Sequence, residues 1–213
     1  MNRLPSLVRQ HIAALRGLLL FTVLTGIIFP VVIWGVAQGA FHNQANGSLV
    51  SYQGHVVGSS LLCQEFTDAK GNPLPQYFQP RPSNAVNAEV KTDYGCDPGF
   101  SAASNLGPNN PDLVTLIKQR QKAYAALNHV KISQIPPDAV TASGSGLDPD
   151  ISPQNADLQV NRVAAARHAS PSAVRALVNR FVQGRTLGFL GEPRVDVLTL
   201  NIALDQQFPL AGH

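Results

Sequence analysis

Cysteine, charge and aromatic side chains are all scarce in this chain, and each shortage removes a class of explanation. Cys63 and Cys96 are the only cysteines among 213 residues; their spacing rules out a C-x-x-C redox or zinc pattern. Charged residues make up 14%, and the net charge of +3 is too small an excess for a nucleic-acid binder. With 7% aromatic residues, no charged or aromatic cluster suits one particular solute. No G-x-x-x-x-G-K-[ST] occurs and no G-x-G-x-x-G follows a strand, so ordinary nucleotide folds lack their phosphate cradle. The histidines (His11, His42, His55, His129, His168, His213) stand singly without H-E-x-x-H or a nearby carboxylate pair, which removes the zinc-hydrolase pattern. What remains is 44% apolar content, enough for a core, together with 17 Gly and 16 Pro that announce long irregular stretches.

The longest uncharged run, Gly17 to Phe41, is long enough as a helix to cross a hydrocarbon core of about 30 Å. Pro30, Gly26, Gly35 and Gly39 are tolerated in lipid, Pro30 is expected to kink the helix, and Trp34 and Phe41 suit an interface. A cleaved signal peptide would have a shorter apolar region, although Ala37-Gln38-Gly39 resembles a weak cleavage site. Arg3, Arg9 and Arg16 precede the span and no Lys or Arg follows until Lys70. The positive-inside rule therefore places residues 1–16 in the cytoplasm, 17–41 in the membrane and 42–213 outside. In that compartment Cys63 and Cys96 are expected either to close a disulfide or to remain as two buried thiols.

The outer segment reads as a short hairpin turning at Gln53-Gly54, a proline-rich loop from Asp68 to Pro111, and a helical second half. Such a long loop inside a domain usually carries function. Helix starts are marked by Asn110-Pro111-Asp112, Ser152-Pro153 and Ser170-Pro171, and Gly184 is expected as a left-handed helix cap. After Pro193 the run VDVLTLNIAL predicts a strand with Leu198, Leu200 and Ile202 on one face. The expected class is α+β: a single N-terminal transmembrane helix, then one soluble domain of helices packed on a small β-sheet.

Two places invite a chemical reading. The turn TASGSGLDPD, Thr141 to Asp150, has backbone N–H groups able to hold an anion and carboxylates at Asp148 and Asp150. It is not a nucleophile elbow, because Ser143 and Leu147 stand where G-x-S-x-G needs glycines around Ser145, and a structural turn is the favoured reading. Arg162, Arg167, Arg175, Arg180, Arg185 and Arg194 share their stretch with the single acid Glu192, which predicts a basic surface for an acidic partner or anionic lipid. Asn46-Gly47-Ser48 matches a glycosylation acceptor only formally and is assigned to a turn.

The strings QANGSL (Gln44 to Leu49), YFQPRPS (Tyr77 to Ser83), SNLGPNNPDL (Ser104 to Leu113), PPDAVTASGSGLDPDIS (Pro136 to Ser152), QVNRVAAAR (Gln159 to Arg167) and GEPRVDVLTLNIALD (Gly191 to Asp205), following one N-terminal span, resemble the C subunit of the bacterial Kdp potassium-transporting ATPase. The resemblance implies a non-catalytic accessory subunit of an ATP-driven potassium uptake complex, needed for assembly and for raising the ATP affinity of the P-type ATPase subunit. The implied partners are a channel-like potassium subunit, the P-type ATPase subunit, a very small fourth subunit and membrane lipid. The D-K-T-G signature and a selectivity-filter repeat are absent, in keeping with that role. Departures from the family pattern are Ala102-Ala103 for a glycine pair, Asp150 for a common His, Asp196 for a usual Asn, the cysteine pair, and extra residues around Gly71 to Pro75.

The topology conflicts with a direct ATP contact, since the soluble domain is expected outside and ATP lies in the cytoplasm. No bound cofactor is therefore expected, ATP acting through the ATPase subunit, as a coupling between sites. Were a nucleotide contact to exist, Ser143, Gly144, Ser145, Gly146 and Gln159 are its expected positions. Arg81, Asn105, Arg162 and Arg167 are the expected partner contacts, with the loop from Tyr77 to Asn110 as the main docking surface. The competing readings are a membrane-anchored extracytoplasmic hydrolase, needing a nucleophile among Ser143, Ser145 or Asp148, and a solute-binding module.

Overall fold

An uncharged, apolar segment can satisfy its backbone in lipid only within a helix, and the computed structural model, which describes residues 5–90 and 95–210, opens with one. Helix α1 runs Ser6–Val23, a π-helical turn spans Leu24–Ile28, and α2 continues Phe29–Ala40. Together Ser6–Ala40 is long and apolar enough to cross a membrane. The π turn explains how Pro30 is accommodated. Its ring has no N–H to donate four residues back and would clash with that carbonyl, and a wider turn absorbs the misfit. Helix formation begins well before Gly17, so Arg9 and Arg16 are helical, while Arg3 and His213 lie outside the described residues. The resemblance to a cleavage site at Ala37 falls inside α2, which is followed by the short helix α3, His42–Ala45.

The chain divides into two units, 1–48 and 49–213. The second begins with the expected hairpin, β1 Leu49–Tyr52 antiparallel to β2 His55–Ser59. Gln53 and Gly54 both have positive φ, as a type I′ hairpin turn requires. Strand β2 approaches the last helix closely: a Cβ on Gly58 would meet Leu198 Cδ2 at 2.8 Å.

Helix α4, Pro111–Asn128, is capped by Asn110, whose side chain accepts from Asp112 N. Short 3-10 turns at Ile132–Gln134 and Pro137–Ala139 lead to β3, Asp150–Ile151. Then come α5 Pro153–Ala166 and α6 Pro171–Phe181, capped by Ser152 and Ser170 as expected. Strand β4, Val195–Asp196, pairs antiparallel with β3, and α7, Val197–Gln207, follows at once. The core lies between these three helices: Ala156, Val160, Val163, Val174, Leu177, Leu200 and Leu204 enclose Phe78, which is completely buried.

The α+β class stands: the β part is two two-stranded ribbons, β1–β2 and β3–β4, and the helical core lies between α5, α6 and α7. Two expectations need correction. The expected strand after Pro193 stops at Asp196, whose carboxylate accepts from Thr199 N and starts α7. Val197, Leu200, Asn201 and Leu204 are then buried at helical spacing, so tertiary packing overrides the β propensity of the run. Gly184 is no helix cap. Helix α6 ends at Phe181 with Val182 already extended, because Gln183 exchanges backbone hydrogen bonds with Arg194.

Candidate functional site

Helix α5 places Asn155, Gln159 and Arg162 at i, i+4 and i+7, all buried. Its first turn is fixed by Ser152 Oγ, which accepts from Asn155 N at 3.0 Å. Asp138 adds a second anchor, accepting from Ser152 N, Ser152 Oγ and Asn155 Nδ2 at 2.9, 2.8 and 3.0 Å. The residues presented by this face hold one irregular segment, Leu74 to Gln79, which has no strand partner.

Gln159 brackets Gln79: its Oε1 accepts from Gln79 N at 2.7 Å and its Nε2 donates to Gln79 O at 3.1 Å. Asn201 on α7 does the same for Phe78, accepting from its N–H and donating to its carbonyl, each at 2.9 Å. Arg162 Nη1 donates to Pro75 O at 2.6 Å and Tyr77 O at 2.9 Å, while Nε reaches Asn128 Oδ1 at 2.8 Å and Nη2 reaches Gln159 Oε1 at 2.7 Å. Arg167 donates through Nε to Gln76 O and through Nη1 to Phe208 O, both at 2.8 Å. Its Nη2 pairs with Asp205 Oδ1 at 2.7 Å, and its guanidinium stacks 4.7 Å from the Tyr77 ring centre. Side-chain amides and guanidinia thus replace the ladder a neighbouring strand would supply.

Burial sets the electrostatics here. It pulls Arg162 down to about 10, the nearby Tyr124 acting in the opposite sense. It pushes the Tyr124 phenol up, and that phenol donates to Asn155 Oδ1 at 2.7 Å. Tyr77 is raised for the same reason, with Asp205 adding to the effect. Arg162 has no carboxylate partner among the described residues and is held by neutral oxygens.

The Ser/Gly turn is a second centre. Ser145 O accepts from Ala102 N at 2.9 Å, Gly146 O from Ser83 Oγ at 2.6 Å, and Leu147 O from Cys63 N at 3.0 Å. Ser83 Oγ also accepts from Ala85 N at 3.0 Å and Cys96 N at 2.9 Å. Cys63 and Cys96 are joined by a disulfide, 33 positions apart. Arg81 Nη1 pairs with Asp148 Oδ2 at 2.7 Å, and Asp148 Oδ1 accepts from Asp150 N at 3.0 Å. Gly146 has φ +74, and a Cβ there would lie 2.5 Å from Ala102 O, so only glycine fits. The turn thus ties residues 63, 83–85, 96 and 101–102 together.

The expected nucleotide positions separate into two groups. Gly144 and Ser145 are exposed on this turn, and Ser143 is buried with no hydrogen-bond partner for its Oγ. Gln159 belongs to the clasp around Gln79, sharing its bonds with Gln79, Asn155 and Arg162. The expected partner contacts also divide. Asn105 is exposed with φ +52. Arg162 and Arg167 are 7% and 6% exposed and turn inward to bind loop carbonyls.

The remaining arginines of the expected basic surface are matched as well: Arg175 with Asp157, Arg180 with Gln207, Arg185 with Glu192 and Arg194 with Asp150. Asp157, Asp205 and Asp150 lie outside the stretch in which only Glu192 was visible, so the charges of Arg175, Arg167, Arg185 and Arg194 are balanced, while Arg180 meets the neutral amide of Gln207. Asn128 and Asn201 were missed in the sequence; for Asn201 the signal was a lone amide inside LTLNIAL.

Residues 11–206 match the family model described as KdpC: K+-transporting ATPase, c chain. The Potassium-transporting ATPase KdpC subunit of Streptomyces avermitilis is 46% identical over 217 residues, covering 96% of this chain and 97% of its own. That of Beijerinckia indica is 46% identical over 202 residues, 94% and 96% of the two chains. That of Mycobacterium tuberculosis is 47% identical over 199 residues, 93% and 98%.

Proposed function

The chain belongs to the K+-transporting ATPase c-chain family, and from that premise we propose a non-catalytic accessory subunit that stabilises the assembled transporter and raises the ATP affinity of its P-type ATPase subunit. Similarity along nearly the whole chain carries this reading. Its partners are the channel-like potassium subunit, the P-type ATPase subunit and the very small fourth subunit. The hydrogen-bond pattern supports it, since Arg162, Arg167, Gln159 and Asn201 are spent on the backbone of the internal segment Pro75 to Gln79 rather than gathered around a cavity.

Helix Ser6–Ala40 anchors the chain in the cell membrane. Arg9 and Arg16 hold its start in the cytoplasm, and residues 42–213 lie outside. The effect on ATP then travels through membrane-embedded parts as a coupling free energy, because the domain and the nucleotide are on opposite sides. Protease applied to right-side-out spheroplasts should digest the domain; digestion only in inverted vesicles would reverse the orientation. A direct contact would then fall to the turn Ser143 to Gly146, where Ser143 Oγ lacks a partner.

The test compares complexes purified with and without this chain, following potassium-stimulated ATP hydrolysis against ATP concentration. Omission should raise KM for ATP or prevent recovery of the complex, and the chain alone should hydrolyse nothing. Turnover by the chain alone, or an unchanged KM in its absence, would overturn the reading.

A further inference from the structure

Where the core ends, one apolar feature points away from it. Between β4 and α6 the chain makes a narrow ribbon, closed by the Gln183–Arg194 and Thr186–Leu190 bridges. Its tip carries Leu187, Phe189 and Leu190, exposed to 79%, 69% and 49%. These side chains contribute little to the fold, yet they are the groups whose exposure to water is least favourable.

The backbone at the tip is also strained. Leu187 has φ +55, and Gly188 follows at +82. Among the described non-glycine residues with positive φ, Leu187 is the only aliphatic one; the others are Ser, Gln, Cys, Asn and His. A leucine disfavours that region, which glycine or asparagine would occupy more easily. Strain and exposure are thus both placed on a side chain with no role inside the chain, the pattern expected where an outside contact supplies the return.

We propose that this tip, Leu187 to Leu190, is a preformed plug that seats in an apolar socket on a partner subunit of the transporter. The inference rests on the accessory-subunit reading and names the contact it uses. Two observations favour a protein socket over lipid. The turn is held in one shape by backbone bonds, Gly188 N to Arg185 O at 3.0 Å and Leu190 N to Thr186 O at 2.9 Å, and a fixed shape is useful against a fixed cavity. The cations at its base are already neutralised, Arg185 by Glu192 at 2.7 Å and Arg194 by Asp150 at 3.1 Å, leaving none of these to bind anionic headgroups. An apolar centre ringed by polar groups is the usual anatomy of a protein–protein interface.

The experiment uses the full chain co-expressed with the other transporter subunits. The triple variant Leu187→Gly, Phe189→Ser, Leu190→Ser should reduce co-purification of the large subunits at least tenfold. Leu187→Gly alone separates docking from folding, because it relieves strain. The detergent-solubilised chain should unfold at the same or a higher temperature while recovery of the complex falls several-fold. In the intact wild-type complex, a benzophenone amino acid in place of Phe189 should cross-link to one large subunit. Adducts with lipid alone, or with a second copy of the chain, would overturn the socket; so would normal recovery of the triple variant. If the wild-type chain itself fails to co-purify, the accessory-subunit reading fails with it, an outcome distinct from failure of the tip alone.

Discussion

Two irregular segments of the second unit face opposite ways. Residues 74–85 belong to the proline-rich loop, whose part from Tyr77 to Asn110 the sequence marks as a docking surface, yet Phe78 and Ala85 are wholly buried and the carbonyls of Pro75, Gln76, Tyr77 and Phe78 are taken up by Arg162, Arg167 and Asn201. Residues 185–190 form a short segment outside the strings that carry the family resemblance, yet Leu187 and Phe189 are largely in water. Irregular backbone alone therefore does not locate an interface. What distinguishes the two is whether the polar backbone and apolar side chains find partners within the chain.

The comparison breaks most visibly at Arg162. Arg162→Ala leaves buried acceptors at Pro75 O, Tyr77 O, Asn128 Oδ1 and Gln159 Oε1 without their donor. The expected loss is about 3 to 5 kcal/mol, of the order found when one side of a buried charged network is removed. Urea unfolding of the full chain in detergent measures it. Arg162→Lys should recover little, since one ammonium cannot span a fork directed at several oxygens. A loss below 1 kcal/mol would mean that water or rearranged side chains replace the clasp.

The same residue type tests both segments. Phe78→Ala empties a fully buried site and should cost about 3 to 5 kcal/mol, whereas Phe189→Ala should stay within about 0.5 kcal/mol. Equal effects would erase the distinction between the segments. A further link is the disulfide, which ties Cys96, farther along the same proline-rich loop, to the region after β2. Reduction of Cys63–Cys96, with a separation of 33, should cost about 3 to 4 kcal/mol if the constraint acts mainly on the unfolded chain. Reduction should leave the tip's contribution to assembly unchanged, provided the domain stays folded.

Much of the scaffold was legible because its signals are local. Asn110-Pro111, Ser152-Pro153 and Ser170-Pro171 each bring a cap and a preset φ within three residues, and each starts a helix. The hairpin was readable for the same reason, from Gln53-Gly54. What failed depends on distant partners. The arginines after Asn161 looked unopposed because Arg175, Arg167 and Arg194 meet Asp157, Asp205 and Asp150, all outside that window. The bonds of Arg162 go to backbone carbonyls, which no residue letter reveals. Helix α7 was misread because alternation of Leu198, Leu200 and Ile202 coexists with a helical stripe through Val197, Leu200, Asn201 and Leu204, and only packing against α5 and α6 decides between them. The exposed tip escaped notice since Leu, Phe and Leu read as core in any sequence.

A small effect in the opposite direction, a gain in stability, is expected at the root of the outward ribbon. Asp150 and Asp196 face each other across β3 and β4. Burial raises both carboxyls; Arg194 opposes this at Asp150 while Asp148 and Asp196 add to it, and hydrogen bonds from Thr199 oppose it at Asp196. A carboxyl with a raised folded value keeps its proton after the unfolded chain has released it. Stability is therefore greatest below the ordinary value of 3.8 and falls as pH rises through the raised one. Asp196→Asn keeps an oxygen to cap α7 through Thr199 N but removes the charge. It should stabilise the chain at pH 7 by about 0.2 to 1 kcal/mol, the scale of a like-charged cross-strand pair. The gain should fade toward pH 3.5 in thermal unfolding, and the outward tip should dock as before. A variant less stable than the parent at pH 7 would show that the carboxylate, with its short bond to Thr199, contributes more as a cap than it costs as a buried charge.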